Sequence, residues 1–280
     1  MLISELIYKG SKSLKNNNIS SHMLDVEIIL SNSLNISREK LLLLDDFKVN
    51  DKIIINFNKF IARRIKKEPI AYIFKKKEFW SHNFLVDKNT LIPRPETELL
   101  IESLVKIYKD KNIFILDIGT GSGCIILSIL NELKKSQGIG IDISKKAIKV
   151  AEKNAQSLHV EGRVKFFKRT LDAFNGYKFD LIVSNPPYIC SHEIKNLSDD
   201  IKKYEPRLAL DGGNDGLDVI KKVIYKSNSI LKIRGLLALE IGYGQYKKVS
   251  QILKLNGFKN RILIKDYQNN IRCILAVLEH

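Results

Sequence analysis

The four residues Asn185-Pro186-Pro187-Tyr188 follow directly on the apolar run Phe179-Asp180-Leu181-Ile182-Val183-Ser184, and their types suit the task of holding a planar nitrogen. The side-chain carbonyl of Asn185 can accept a hydrogen bond from an N–H. Pro186 and Pro187 stiffen the turn, and a carbonyl not spent on a sheet ladder, chiefly that of Pro186, can accept a second. Two acceptors fix one NH2 group. Tyr188 offers a flat face on which a planar amide or base can stack, so the nitrogen is held in a near-attack geometry. An ordinary proline-rich turn with a surface tyrosine has the same letters, so the neighbouring elements decide between the two readings.

A second constellation lies upstream. Ile113-Phe114-Ile115-Leu116-Asp117 reads as a buried strand that runs into Gly119-Thr120-Gly121-Ser122-Gly123 and then into an apolar helix from Cys124. Glycines let the backbone turn tightly and approach a ligand closely, and a helix N-terminus presents N–H groups to it. The G-x-G-x-G spacing departs from the G-x-G-x-x-G of dinucleotide binders and is typical of S-adenosylmethionine enzymes. The next strand, Gly138-Ile139-Gly140-Ile141-Asp142, ends in an acid at the edge where ligands of open α/β sheets lie, and a carboxylate there accepts both ribose hydroxyls. Asp117 is expected to hold the loop or the methionine ammonium group. With a sulfonium methyl as donor, the tetrad directs an in-line displacement on nitrogen, and the nitrogen loses its proton as or after the bond forms, without a general base.

The elements that must position these residues follow from periodicity. Helical spacing recurs near Ile3–Leu14, His22–Leu34, Arg38–Leu44 and Asp51–Ile65, the last capped by Asn50 or Asp51 and stopped by Pro69. From Ile70 to Asp87 the chain changes to short aromatic and β-branched stretches, Ala71–Phe74, Glu78–Trp80 and Phe84–Val86, which read as a hairpin-like connector. Strand and helix signals then alternate, arguing for a doubly wound, parallel α/β sheet. Strands are expected at Ile113–Asp117, Gly138–Asp142, Val164–Lys168, Asp180–Ser184, Leu236–Ile241, Arg261–Lys265 and Arg272–Leu278. Helices are expected near Glu96–Tyr108, Cys124–Leu133, Lys145–Ser157, Leu217–Ile230 and Tyr246–Leu255. The expected organisation is a small all-helical N-terminal domain at 1–69, a β-hairpin linker at 70–90 and a catalytic domain at 91–280.

Along nearly its whole length the chain resembles the HemK/PrmC family, the protein-(glutamine-N5) methyltransferases of peptide chain release factors. The resemblance is carried by Glu68-Pro69-Ile70-Ala71-Tyr72-Ile73, Glu78-Phe79-Trp80, Leu91-Ile92-Pro93-Arg94-Pro95-Glu96-Thr97-Glu98, the Gly119–Gly123 loop, Asn185–Tyr188, Tyr204-Glu205-Pro206, Ala209-Leu210-Asp211-Gly212-Gly213 and Asp215-Gly216-Leu217. It implies a seven-stranded Rossmann-like class I methyltransferase sheet whose last strand is antiparallel. It also implies S-adenosyl-L-methionine as cofactor, with Asn185 among the residues around it, and as substrate the glutamine of the Gly-Gly-Gln loop of class-1 release factors. That amide would rest on Asn185 and the Pro186 carbonyl with Tyr188 alongside, and the helical domain would help grip the release factor. Two segments depart from the family pattern. Lys168-Arg169-Thr170-Leu171 stands where similar proteins have Ser/Gly-Asp before a Trp or Leu that borders the adenine, which puts Thr170 and Leu171 at that place. Asp266-Tyr267-Gln268-Asn269-Asn270-Ile271-Arg272 carries Asn where the family has Gly in its final hairpin, and Asn tolerates the left-handed conformation. Locally, Pro95 with Glu96 and Glu98 is also simply good chemistry for a helix start.

Composition bounds the alternatives. The 280 residues are 44% hydrophobic and 28% charged, a globular balance with no membrane-length apolar run and no secretory signal, so a cytoplasmic protein is expected. Cys124, Cys190 and Cys273 are widely spaced and suggest neither disulfides nor a metal site. The net charge of +16 is spread along the chain as lysine and reads as a solvated surface. N-P-P-Y also occurs in adenine-N6 methyltransferases, so a nucleic-acid amino group is the alternative acceptor. Against it, the chain carries no target-recognition or RNA-binding module, and a base would have to be flipped out. An intact loop, Asp142 and the tetrad argue against a non-catalytic adaptor.

Overall fold

The computed structural model of the chain describes residues 1–44, 47–173 and 176–279 and divides into two compact units, residues 1–75 with 198–204 and residues 76–197 with 205–280. The first unit opens with α1 (Ile3–Asn16), α2 (His22–Leu34), α3 (Arg38–Leu41), α4 (Asp51–Ile65) and α5 (Ile70–Phe74). The second begins with the hairpin β1 (Lys76–Phe79) and β2 (His82–Leu85), followed by α6 (Glu96–Tyr108), β3 (Phe114–Ile118), α7 (Cys124–Glu132), β4 (Gln137–Asp142), α8 (Lys145–Ser157), β5 (Val164–Lys168) and β6 (Phe179–Ser184). The chain then contributes α9 (Asp199–Tyr204) to the first unit. It returns to the second with α10 (Asp218–Ile230), β7 (Leu231–Glu240), α11 (Tyr246–Leu255), β8 (Phe258–Lys265) and β9 (Ile271–Leu278). Among the described residues no helix is long and apolar enough to cross a membrane.

In the helical unit, Leu6, Leu14, Val26, Ile29, Leu30, Leu41 and Phe57 form the core. Asn50 caps α4 by accepting from the Ile53 N–H. The helix ends earlier than Pro69 requires, because Lys66 leaves the helix and Lys67 turns left-handed with φ of 70°. Ala71–Phe74, expected as part of an extended connector, is helical. Ile70 and Phe74 lie one turn apart and both pack on the helical core, Phe74 edge-on against Phe60 at 5.0 Å, and this contact outweighs the β-propensity of the letters. The hairpin itself starts only at Lys76. A buried ion pair ties the unit together: Arg64 Nε donates to Asp25 at 2.6 Å, and the Ser21 hydroxyl donates to the same carboxylate oxygen. Removing one member of such a pair strands the other in an apolar surround. Arg64→Ala is therefore expected to lower unfolding free energy by about 3 kcal/mol, read by urea denaturation followed on helical circular dichroism.

The second unit is built on a seven-stranded sheet in the order β5-β4-β3-β6-β7-β9-β8, parallel except for β9, which runs antiparallel to both its neighbours. Its inner strands read as near-continuous apolar runs because both faces are covered. Ile115, Leu181, Val183, Leu236 and Ala238 point to the side of α6, α7 and the hairpin, while Leu116, Ile118, Ile182, Leu237 and Leu239 point to α10 and α11. The strand order reverses between β3 and β6, where Ile118 pairs with Ser184 and the Ser184 hydroxyl donates to the Ile118 carbonyl at 2.8 Å. Such a reversal opens a crevice at the carboxyl ends of the strands. The final hairpin turn places Asn269 at φ of 68°, the left-handed position that the sequence assigns to Asn. Strands β7 and β8 begin earlier than periodicity indicates. Arg234 in β7 has a positive φ of 63° and its pairing with β6 shifts register, and β8 is irregular after Asn260, so alternation is broken in both.

Candidate active site

Three strand ends deliver the expected residues to one edge: Ile118 of β3 pairs with Ile141 of β4 on one side and with Ser184 of β6 on the other. Gly119, Gly121 and Gly123 all adopt positive φ. At Gly123 a Cβ would also stand 2.9 Å from Leu127, so glycine is needed there on two counts. The loop is held largely by its own surroundings. The N–H groups of Gly119 and Thr120 both donate to the Ile141 carbonyl, and that of Gly123 donates to Thr120. The Gly121 N–H donates to Asp142 at 3.0 Å. The loop amides are thus mostly committed, and what the loop offers a ligand is close approach: a Cβ at Gly119 would meet nothing within 4 Å, and one at Gly121 only a carbonyl at 3.9 Å.

Asp142 also accepts from the Ser144 N–H at 2.8 Å, and Ser144 caps α8 through the Ala147 N–H. A carboxylate offers about four acceptor positions, so Asp142 combines the loop and helix contacts with spare capacity on each oxygen. Burial pushes its carboxyl above the usual range, opposed by the N–H groups of Ser144 and Gly121. Asp117 is more deeply buried, at 1% exposure. Its Oδ2 accepts from the Thr120 hydroxyl at 2.7 Å, while Oδ1 has no hydrogen-bond partner among the described residues. Desolvation pushes this carboxyl up to about 7, against the pull of Thr120. Ser122 is buried with its hydroxyl likewise unpartnered among the described residues. Of the pair after β5, Leu171 packs against the sheet cluster that includes Ile118, Ile139 and Ile141, and Thr170 is exposed.

The tetrad leaves β6 at the same edge. Pro186 is buried, and its carbonyl makes no hydrogen bond among the described residues. The Tyr188 carbonyl is taken by Gln245 Nε2 at 3.0 Å, and the Gly242 N–H donates to Gln245 Oε1. Three glycines crowd this backbone. A Cβ at Gly212 would stand 2.8 Å from the Pro187 carbonyl, one at Gly216 2.4 Å from the Tyr188 carbonyl, and one at Gly242 3.1 Å from the Tyr188 ring. The contacts at Gly212 and Gly216 are with fixed backbone and leave no room for a side chain, which gives the Gly212-Gly213 and Asp215-Gly216 segments a structural reason to accompany the tetrad.

Several contributors were given no site role by sequence reasoning. Glu240, at the end of β7, is 1% exposed. Its Oε2 accepts from the Thr97 hydroxyl at 2.6 Å, and its Oε1 has no hydrogen-bond partner among the described residues. Burial raises its carboxyl, while Thr97, Arg272 and the nearby Asn185 amide favour the charged form. Arg272 stacks its guanidinium 5.7 Å from the Tyr188 ring centre and donates to the Tyr188 hydroxyl at 3.3 Å. Glu205 accepts from the Ile92 N–H and pairs with Arg94, clamping two of the segments that carry the family resemblance. Asn154 in α8 donates to the Ser122 and Leu85 carbonyls and accepts from the Leu85 N–H, tying the glycine loop to β2. One signal was available: Glu240 is a lone carboxylate in the run Leu236-Leu237-Ala238-Leu239-Glu240-Ile241.

Comparison with known proteins identifies the family. The PrmC N-terminal domain matches residues 5–74 and the methyltransferase small domain matches residues 94–213. A release factor glutamine methyltransferase of Clostridium acetobutylicum is 40% identical, with 99% of each chain covered. That of Rhodospirillum rubrum is 36% identical over 99% of this chain and 85% of its own. Among solved structures, a methyltransferase from Pyrococcus furiosus superposes with a TM-score of 0.55 at 15% identity, over 78% of this chain and 98% of that one. The hMettl16 catalytic domain does so with a TM-score of 0.58 at 15% identity, over 79% and 82%. These two likenesses show the fold alone. The full-length relatives show more: the chain is a methyltransferase that belongs to the HemK/PrmC family of release factor glutamine methyltransferases.

Proposed function

We propose that the protein methylates the side-chain amide nitrogen of the glutamine in the Gly-Gly-Gln motif of class-1 release factors, with S-adenosyl-L-methionine as the cofactor. The residues at the sheet edge fit that cofactor. Asp117 Oδ1 is an unpaired buried acceptor suited to an ammonium group, the loop at Gly119 and Gly121 leaves room for close approach, and Asp142 keeps acceptor capacity for ribose hydroxyls. Leu171, with Thr170 beside it, supplies an apolar border for the adenine. The bound cofactor supplies an electrophilic methyl group.

The observation that carries the reading is the Pro186 carbonyl, left without a hydrogen bond next to the Asn185 amide at the topological switch point. Asn185 Oδ1 and that carbonyl accept the two N–H bonds of the substrate amide, and Tyr188 packs on its plane. Their hydrogen bonds hold the amide while its nitrogen loses resonance with the carbonyl, and no side-chain base takes part. The helical unit provides further grip on the release factor.

The test is to incubate the protein with radiolabelled S-adenosylmethionine and, in parallel, an unmodified release factor, its Gly-Gly-Gln Gln→Ala variant, duplex DNA and ribosomal RNA. Label is expected on the release factor and not on the Gln→Ala variant. Label on nucleic acid alone would overturn the reading in favour of base methylation and give the net charge of +16 a functional part.

A further inference from the structure

An asparagine that must accept has an intrinsic weakness. Its amide oxygen and nitrogen are nearly the same size, so rotation by half a turn replaces the acceptor with a donor. In the wrong orientation Asn185 would set its own NH2 against the NH2 of the substrate. Packing cannot tell the two orientations apart. Only a neighbour of fixed hydrogen-bonding sense can do so.

Glu240 stands where such a neighbour is needed. Ser184 pairs with Leu239 across β6 and β7, so Asn185 and Glu240 leave the sheet side by side. On the far side, Glu240 pairs with Cys273, and the Ile241 N–H donates to the Arg272 carbonyl at 2.8 Å. The Thr97 hydroxyl holds Oε2 at 2.6 Å, which fixes the plane of the carboxylate. Oε1 remains an unpaired buried acceptor, and the Asn185 amide lies close enough to oppose, with Thr97 and Arg272, the rise that burial imposes on this carboxyl. Arg272 carries the matching orphan: its Nε is buried without a partner among the described residues, while its other end holds the Tyr188 hydroxyl. An acceptor and a donor are therefore both left open beneath the tetrad, in a protein whose catalytic hydrogen bonds would tighten once substrate is bound.

We propose that Glu240 is a positioning residue that locks the Asn185 amide with its NH2 turned inward and its carbonyl turned to the substrate. An ionised carboxylate can only accept, so it admits one orientation of Asn185 and rejects the other. Glu240 touches neither substrate nor cofactor. It acts through Asn185, while Arg272 anchors Tyr188 on the other side.

The inference rests on the glutamine-methyltransferase reading, and a mutant cycle separates the two. Glu240→Gln preserves shape, but with its carbonyl kept on the Thr97 hydroxyl its NH2 takes the Oε1 place and faces Asn185, drawing the Asn185 carbonyl inward. Single-turnover methylation of the release factor is measured for wild type, Glu240→Gln, Asn185→Ala and the double variant, together with S-adenosylmethionine affinity. Glu240→Gln is expected to slow the reaction about tenfold or more when Asn185 is present and less than about twofold when it is Ala, with cofactor affinity unchanged in both. An equal loss in both backgrounds, or no loss in either, overturns the positioning role. If Glu240→Gln does not fold, Thr97→Val, which frees the carboxylate plane, takes its place in the same cycle with the same criteria. Wild type that methylates no release factor fails the earlier reading and this one together, whereas active wild type with no coupling fails only this one.

Discussion

Asn185→Ala is expected to lower the methylation rate by about a hundredfold to a thousandfold, the range for removing one preorganised polar group that acts on the reacting atoms. Only one of the two proposed acceptors disappears, because the Pro186 carbonyl belongs to the backbone and survives the change. The amide is then free to rotate about the remaining hydrogen bond, and its nitrogen lone pair leaves the line of attack. The glycine loop, Asp117 and Asp142 hold one another through the Gly121 and Thr120 contacts without Asn185, so cofactor affinity is expected to change by less than about threefold. The loss therefore falls on kcat. Single-turnover methylation of the release factor and calorimetric titration with S-adenosylmethionine measure the two quantities separately. A variant of normal rate would remove Asn185 from the catalytic role.

Cofactor affinity is expected to depend on pH through Asp117. In the free protein, burial pushes this carboxyl from an ordinary 3.8 up to about 7, against the pull of Thr120. A raised carboxyl means that the folded chain binds more protons than the unfolded chain between those values. The contribution of Asp117 to stability is thus fully present below the ordinary value and is lost as pH rises through about 7. Binding works in the opposite sense. An ammonium group beside Oδ1 favours the carboxylate, so binding releases a proton whenever the free protein is protonated. Affinity is expected to rise with pH and level off above about 7, weakening about tenfold for each pH unit below that. Asp117→Asn would bind more weakly and without this slope. Titration calorimetry in buffers of different ionisation enthalpy counts the released proton directly. A flat wild-type profile across the range would exclude an ammonium contact at Asp117.

What could be read from the letters and what could not divides along physical lines. Strands β3 and β6 were legible because a parallel strand covered on both faces needs an unbroken apolar run, and Ile115-Leu116 and Leu181-Ile182-Val183 supply one. The glycine loop and the tetrad were legible because each compresses its requirements into a few adjacent residues. Helix α5 was not, since five residues from Ile70 to Phe74 fit helical and extended spacing equally well, and the core under Ile70 and Phe74 decides. The supports of the site were the least legible. Glu205 finds Ile92 and Arg94, Gln245 finds Tyr188, and Asn154 finds Leu85 and Ser122. In each case the two partners are distant in sequence and only the fold brings them together. The site was therefore readable as a set of reactive letters, and its rigidity was not.

The helical unit has a consequence for how the protein is made. Its α9 arrives from within the second unit, and the Tyr204 hydroxyl donates to the Lys66 carbonyl at 2.8 Å. A chain emerging from the ribosome has released α1 to α5 long before α9, so the helical unit stays incomplete until residue 204, after much of the second unit has been synthesised. It must wait, with one of its contacts open, while β3 to β6 are translated and can begin to pair. Ribosome-bound chains stalled just before and just after residue 204 would therefore differ in the protease resistance of a segment synthesised long before the stall.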